Sequence, residues 1–85
     1  MESETYRKEV AARIRDRIFR LRQKGHATSK GEPMSFAAIA RTLDPPVTRV
    51  TVSLVADGKT VSERIRRAIE RELGECYWVR RKEKA

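Results

Sequence analysis

Residues 35–62 contain the stretch that decides the fold, and they read SFAAIARTLDPPVTRVTVSLVADGKTVS. The first part has apolar residues at the spacing of one helical face, namely Phe36, Ile39, Ala40 and Leu43. Ser35 precedes this run and is a favourable N-cap residue. The Asp-Pro-Pro run at 44–46 ends the helix, because proline cannot extend the backbone ladder and restricts the residue before it. The first part of the stretch therefore predicts a short helix.

The second part of the stretch has two interpretations. Local propensity favours a strand, because β-branched residues dominate and apolar residues alternate with hydroxyl-bearing ones over 50–54. An Asp-Gly pair follows and suits a hairpin turn. In the alternative, Thr48 caps a short helix, Gly58 lies just past its end, and Val52 shares one face with Val55. The local pattern leaves both interpretations open.

Apolar residues at helical spacing also flank this stretch. Residues 4–24 predict a long first helix, whose apolar stripe is Val10, Ile14, Ile18 and Leu21. A last helix is predicted between the cap residue Ser62 and Gly74, with the stripe Ile65, Ala68, Ile69 and Leu73. The fold class predicted is all-α, a compact bundle of about four helices, with a short strand or extended tail at the C-terminus.

The chain length and composition indicate the broad class of protein. The 85 residues are enough for one domain, and we predict that domain over 1–75 with a basic tail over 76–85. The single cysteine, Cys76, excludes a disulfide within the chain. No apolar run approaches the roughly 20 residues that span a bilayer, and the acidic N-terminus is unlike a signal peptide. We expect a cytoplasmic protein with no membrane partner.

The charge balance indicates the partner. The chain has 20 Lys and Arg residues against 12 Asp and Glu residues, a net charge of +8, which attracts polyanions. The excess lies at the two ends, because 1–24 carries +4 and 76–85 carries +3, whereas 25–46 and 61–75 are balanced. Attraction to phosphate is independent of sequence and can come from flanking segments. Nucleic acid is therefore the first partner predicted.

The sequence offers little for catalysis or for metal binding. His26 and Cys76 are single residues far apart in the chain, so they supply neither a nucleophile pair nor a ligand set. No glycine-rich phosphate loop is present. We expect a protein that is not an enzyme and that uses no metal and no cofactor. Tyr77 and Trp78 are expected to pack on the core or on a second subunit.

Residues 35–73 resemble the helix-turn-helix of small phage and bacterial transcriptional regulators. SFAAIARTL is similar to the first motif helix, with Ala40 at the small position where the two helices cross. TVSLVADGKTVSERIRRAI is similar to the second motif helix and the following helix of the lac-repressor family headpiece. The preceding RIRDRIFRLRQKG resembles the opening of Ner-like proteins and of the lambda-repressor-like class. The resemblance implies a motif over about 35–58 and favours the helical interpretation of 48–57.

The same resemblance implies a function. It implies a sequence-specific transcriptional regulator, most typically a phage- or prophage-type repressor that binds double-stranded DNA at a palindromic operator as a homodimer. Such a protein is associated with the nucleoid. The dimer interface is expected on the last helix and tail or on the Phe19 side of the first helix. No ligand-binding domain follows the motif, so no small-molecule ligand is expected. The alternatives are an antitoxin or adaptor-type interaction module and a non-specific architectural DNA-binding protein.

The resemblance also assigns roles to residues of the motif. With Thr48 as the cap, the residues predicted to point outward and contact bases are Arg49, Val50, Ser53 and Leu54. Arg49 is expected to bond O6 and N7 of a guanine, worth about 1–3 kcal/mol of discrimination. Val50 and Leu54 are expected to touch thymine methyl groups. The predicted phosphate contacts are Ser35, Thr48, Thr51 and Lys59.

Overall fold

Four α-helices make up the regular structure of residues 3–78, the part of the chain that the computed structural model describes. They are α1 (Glu4–Gln23), α2 (Phe36–Thr42), α3 (Arg49–Ala56) and α4 (Glu63–Leu73). Within 3–78 no strand occurs, and extended segments meet only at one bridge, between Ala27 and Pro33. The all-α prediction is therefore confirmed. Residues 75–78 are irregular, and the rest of the predicted tail, 79–85, lies outside the described residues.

A hydroxyl side chain caps the start of each of these helices. In each case the hydroxyl accepts a hydrogen bond from the backbone N–H three residues further on, and the caps are Ser3, Ser35, Thr48 and Ser62. Such a cap satisfies one of the donors that a helix start leaves without a partner. The starts predicted at Ser35, Thr48 and Ser62 are therefore confirmed.

The core forms where one face of each helix turns inward. All the apolar residues predicted for the stripes of α1 and α4 are buried, and so is the side chain of Met34 in the loop before α2. Ile14, Ile39 and Ile69, from three different helices, are completely buried. Burial of each such aliphatic side chain stabilises the folded state by about 1.5–3 kcal/mol. The apolar periodicity thus predicted the core-facing sides of α1, α2 and α4 correctly.

The stretch over 48–57 is a helix, and the strand interpretation is wrong. In a strand over 50–54, Val50, Val52 and Leu54 would share one face. The observed buried set is instead Val52, Val55 and Ala56, which share one side of a helix. Burial of this set against the other helices outweighs the local strand preference of β-branched residues.

Two contacts fasten the turn between α2 and α3. The backbone N–H of Val47 donates to the carbonyl oxygen of Ala40 on α2, at 3.2 Å. The guanidinium of Arg64 on α4 donates to the carbonyl oxygen of Pro45, at 2.6 Å. The peptide bond between Asp44 and Pro45 is cis. The turn is therefore held from both α2 and α4.

The chain after α4 packs back onto the bundle. Tyr77 and Trp78 are only 3% and 4% exposed and belong to the core cluster. The carboxylate of Glu70 accepts hydrogen bonds from the backbone N–H groups of both residues, at 2.9 and 3.2 Å. The Arg66 guanidinium lies 4.9 Å from the centroid of the Trp78 ring. The expected core packing of both aromatic residues is confirmed, and the packed region extends past the predicted boundary at 75.

Candidate nucleic-acid interface

The side of α3 opposite its buried face is open to solvent. Val50 is 57% exposed and Leu54 is 36% exposed, although both are large apolar residues. Arg49 is exposed and Ser53 is half-buried on the same helix. The structure therefore brings the four predicted base-contacting residues together on one element, outside the core.

These four residues have a definite arrangement around the axis of α3. An α-helix has 3.6 residues per turn, so Val50 and Leu54 stand one turn apart. They lie at the centre of the exposed face, opposite the buried valines, whereas Arg49 and Ser53 lie along one edge of that face. Within residues 3–78 the guanidinium of Arg49 makes no hydrogen bond or ion pair. The exposed face thus has an apolar centre and a cation at its edge that is available to a ligand.

The residues predicted to contact phosphate are less closely grouped. The hydroxyl of Thr48 accepts from the Thr51 N–H at 3.2 Å and lies 2.9 Å from the Thr51 hydroxyl. Ser35 is likewise engaged as the cap of α2, 3.0 Å from the Ala38 nitrogen. Lys59 is exposed beyond the other end of α3, which is about 12 Å long. Thr48 and Lys59 therefore cannot hold the same phosphate group, and Thr48 and Ser35 have a local capping role as well.

One contact at this surface was not predicted from the sequence. Arg15 of α1 donates to both carboxylate oxygens of Asp57, the C-cap of α3, at 2.7 and 3.2 Å. The same guanidinium lies 5.3 Å from the ring centroid of Phe36, the first residue of α2. Arg15 therefore joins three helices and offsets an acidic charge that would repel phosphate. The partners are 42 positions apart in the chain, so no local pattern indicates the contact.

A groove of about 560 Å³ runs between the start of α1 and the end of α3. Its two acidic residues are both paired, Glu4 with Lys8 at 3.4 Å and Asp57 with Arg15. Lys59 also lines the groove and has no ion pair among residues 3–78. This lining suits an anionic group better than an apolar ligand.

The described residues offer neither a metal site nor a membrane span. Residues 3–78 contain no cluster of three or more His, Cys, Asp or Glu side chains that is suited to a metal ion. His26 and Cys76, the two residues considered for chemistry, are both exposed. Over the same range, every helix is too short or too polar to cross a bilayer.

No family model, no curated protein and no solved structure matches this chain. The resemblance to helix-turn-helix regulators therefore rests on the residues of this chain alone.

Proposed function

We propose that this protein binds double-stranded DNA sequence-specifically and regulates transcription, as a repressor of the phage or prophage type located on the nucleoid. In this proposal α2 and α3 form the helix-turn-helix, and α3 enters the major groove. The observation that carries this proposal is the exposed face of α3. On the opposite side of the same helix, Val52 and Val55 hold α3 to the core. A helix so anchored presents its outward side chains to base edges in a fixed geometry.

The charge distribution supports affinity for DNA. The chain carries a net charge of +8, and Arg49 and Lys59, at the two ends of α3, are not neutralised by acidic partners among residues 3–78. Asp57, the acid at the end of α3, is paired with Arg15. Each phosphate that such cations neutralise releases counterions, so binding weakens as salt rises. The proposal therefore requires both a salt-dependent affinity and a base preference.

The proposal is tested by selecting bound DNA from random sequence at several salt concentrations. We expect a palindromic consensus, and we expect Arg49→Ala to lose the preference for one base pair at a cost of about 1–3 kcal/mol. Arg67→Ala is the matched control, because it removes the same charge from the exposed side of α4. That control should keep every base preference. Binding that depends on salt but recovers no consensus would contradict a specific regulator and leave an architectural protein.

The proposed homodimer has a specific candidate surface. Every apolar residue of α4 is buried, whereas Phe19 on the outer side of α1 is 60% exposed. We therefore propose the Phe19 side as the interface, since apolar residues of a self-complementary contact are exposed in the free subunit. Size-exclusion chromatography with light scattering should give a dimer for the wild type and a monomer for Phe19→Asp. A monomeric wild type, with and without DNA, would contradict this part of the proposal.

The apolar centre of α3 favours one alternative function, an antitoxin or adaptor-type module that binds a protein. Exposed apolar side chains at the centre of a surface are typical of protein interfaces. A stable complex with a second protein formed through Val50 and Leu54, together with no affinity for DNA, would support this alternative.

A further inference from the structure

We infer that α3 recognises the 5-methyl groups of pyrimidines in DNA, with Val50 and Leu54 as the contact residues. The inference rests on the proposed function and names the chemical group that its site selects. The ligand class is a major-groove edge that carries thymine or 5-methylcytosine at two defined positions.

Exposed apolar surface occurs at few places on the described chain. Among residues 3–78, the large apolar side chains left exposed are Phe19, Val50, Leu54 and Val61. Two of these four stand one turn apart on α3, and no other helix of the described chain exposes such a pair. The exposed apolar surface is therefore concentrated on the element proposed to enter the groove.

Val50 and Leu54 also have a central position on the helix. The centre of an exposed helical face comes closest to base edges when the helix lies in the major groove, so short side chains reach the bases there, whereas a residue at the edge of the face needs a long side chain to do so. Val50 and Leu54 occupy the centre of the α3 face, and Arg49 stands at its edge, one residue before Val50. The deepest contacts of α3 are thus made by apolar groups.

The chemistry of the groove favours a methyl group as the partner of this pair. The large apolar group that a base edge presents in the major groove is the C5-methyl of thymine, and most of the remaining positions are hydrogen-bond donors and acceptors. An apolar side chain pressed against a donor or acceptor displaces its water and supplies no partner, which is unfavourable. Val50 and Leu54 therefore favour a methylated pyrimidine edge and disfavour an unmethylated cytosine edge. 5-Methylcytosine carries its methyl group on the same ring carbon as thymine.

The spacing of the two residues predicts the spacing of the two methyl groups. Four residues of α-helix rise about 6 Å, and successive bases of one strand rise about 3.4 Å. Val50 and Leu54 therefore match pyrimidines that lie about two base steps apart. A methyl preference at two such positions is expected in each half-site.

The experiment replaces the thymines of the selected DNA one at a time with deoxyuridine, which removes only the methyl group. We expect two sensitive positions per half-site, each with an increase in Kd of about four-fold. Val50→Ala should abolish the sensitivity at one position and Leu54→Ala at the other. Both side chains are exposed, so wild-type-like thermal melting of each variant confirms that the fold is intact. Val61→Ala, which shortens an exposed apolar residue outside α3, should keep both sensitivities.

A second arm places a C·G pair at each sensitive position, with and without the 5-methyl group. We expect the methylated pair to bind more tightly than the unmethylated pair, by about the same factor. Sequence-specific binding that ignores deoxyuridine at every position would overturn this inference and leave the proposed function standing. No binding to any DNA would overturn both.

Discussion

At the scale of single residues, Glu72 shows how a buried charge is stabilised in this small protein. Its side chain is only 3% exposed, and its carboxylate accepts from the backbone N–H and the hydroxyl of Ser29, at 2.8 and 2.7 Å. Arg71 donates to it at 3.2 Å. Burial alone would raise the pKa of Glu72, but the hydrogen bonds from Ser29 and the interaction with Arg71 outweigh burial and lower the pKa. The ionised carboxylate therefore fastens the loop before α2 to α4.

This lowered pKa predicts a pH-dependent contribution to stability. A carboxyl whose pKa is lowered by folding contributes stability above its ordinary pKa of 4.5, and that contribution is lost as pH falls through the folded pKa. We expect Glu72→Gln to reduce the free energy of unfolding by about 1–3 kcal/mol at pH 7. The reduction should shrink below about pH 4.

Urea denaturation of both proteins across this pH range measures the effect. Glu9→Gln is the control, because Glu9 is exposed and makes no ion pair among residues 3–78. It should change stability little at any pH. A cost for Glu72→Gln that is equal at pH 3 and pH 7 would contradict the assignment.

At the scale of elements, the end of α3 depends on a glycine for two separate reasons. Gly58 has φ of +77°, a left-handed conformation that is unfavourable for other residues. A Cβ atom at this position would also meet the side chain of Arg7 on α1, with Cδ in closest contact and Cγ at 2.7 Å. Gly25, at the end of α1, has φ of +78° but no atom within 4 Å of such a Cβ. A side chain at Gly25 would therefore meet only backbone strain, whereas a side chain at Gly58 would meet both backbone strain and close packing.

This contrast gives a matched pair of substitutions. We expect Gly25→Ala to cost about 1–2 kcal/mol through backbone conformation alone. Gly58→Ala should cost more, because Arg7 must also move away. In an Arg7→Ala background the difference between the two costs should shrink but not vanish, because alanine keeps the Cβ atom of residue 7, which lies 3.1 Å from the added Cβ. Chemical denaturation measures all four variants, and equal costs in the wild-type background would show that the Arg7 contact contributes nothing.

At the scale of the whole molecule, the residues after α4 join the two ends of the described chain. The Tyr6 hydroxyl on α1 donates to the carbonyl oxygen of Tyr77 at 2.7 Å, and the Arg17 guanidinium donates to the carbonyl oxygen of Leu73 at 3.1 Å. The Arg13 guanidinium lies 5.1 Å from the centroid of the Tyr77 ring. The first helix is thus held to the end of the last by hydrogen bonds and by aromatic burial.

This packing predicts that Trp78 is essential for stability although it lies beyond the last helix. We expect Trp78→Ala to cost about 3–5 kcal/mol, which is a large part of the 5–15 kcal/mol typical of a domain. Trp78→Phe keeps an aromatic ring in the same place and should cost much less. Thermal and urea unfolding followed by circular dichroism measure both variants. A cost below 1 kcal/mol for Trp78→Ala would contradict a stabilising role for this side chain.

Most helix boundaries were predictable from the sequence, because the signals that set them are local. A hydroxyl residue followed by apolar residues at helical spacing identified the starts at Ser35 and Ser62, whereas the cap at Thr48 belonged to one of two open interpretations of 48–57. The outward set on α3 followed from the cap at Thr48 and the helical repeat. The Arg15–Asp57 and Glu72–Ser29 contacts were not predictable, because each joins residues more than 40 positions apart.

The sequence by itself determined three helices, α1, α2 and α4, with their core-facing sides, the caps of α2 and α4, and the excess of positive charge. Each of these depends on residue type and on spacing within a few positions. Only the tertiary structure decided that 48–57 is a helix. The local strand preference of this segment is overcome because the helix buries Val52, Val55 and Ala56 together. The tertiary structure also decided which charges remain available around α3, since Asp57 is neutralised by an arginine that the fold brings from α1. Long-range burial and pairing depend on how helices pack, and no short window of sequence contains that information.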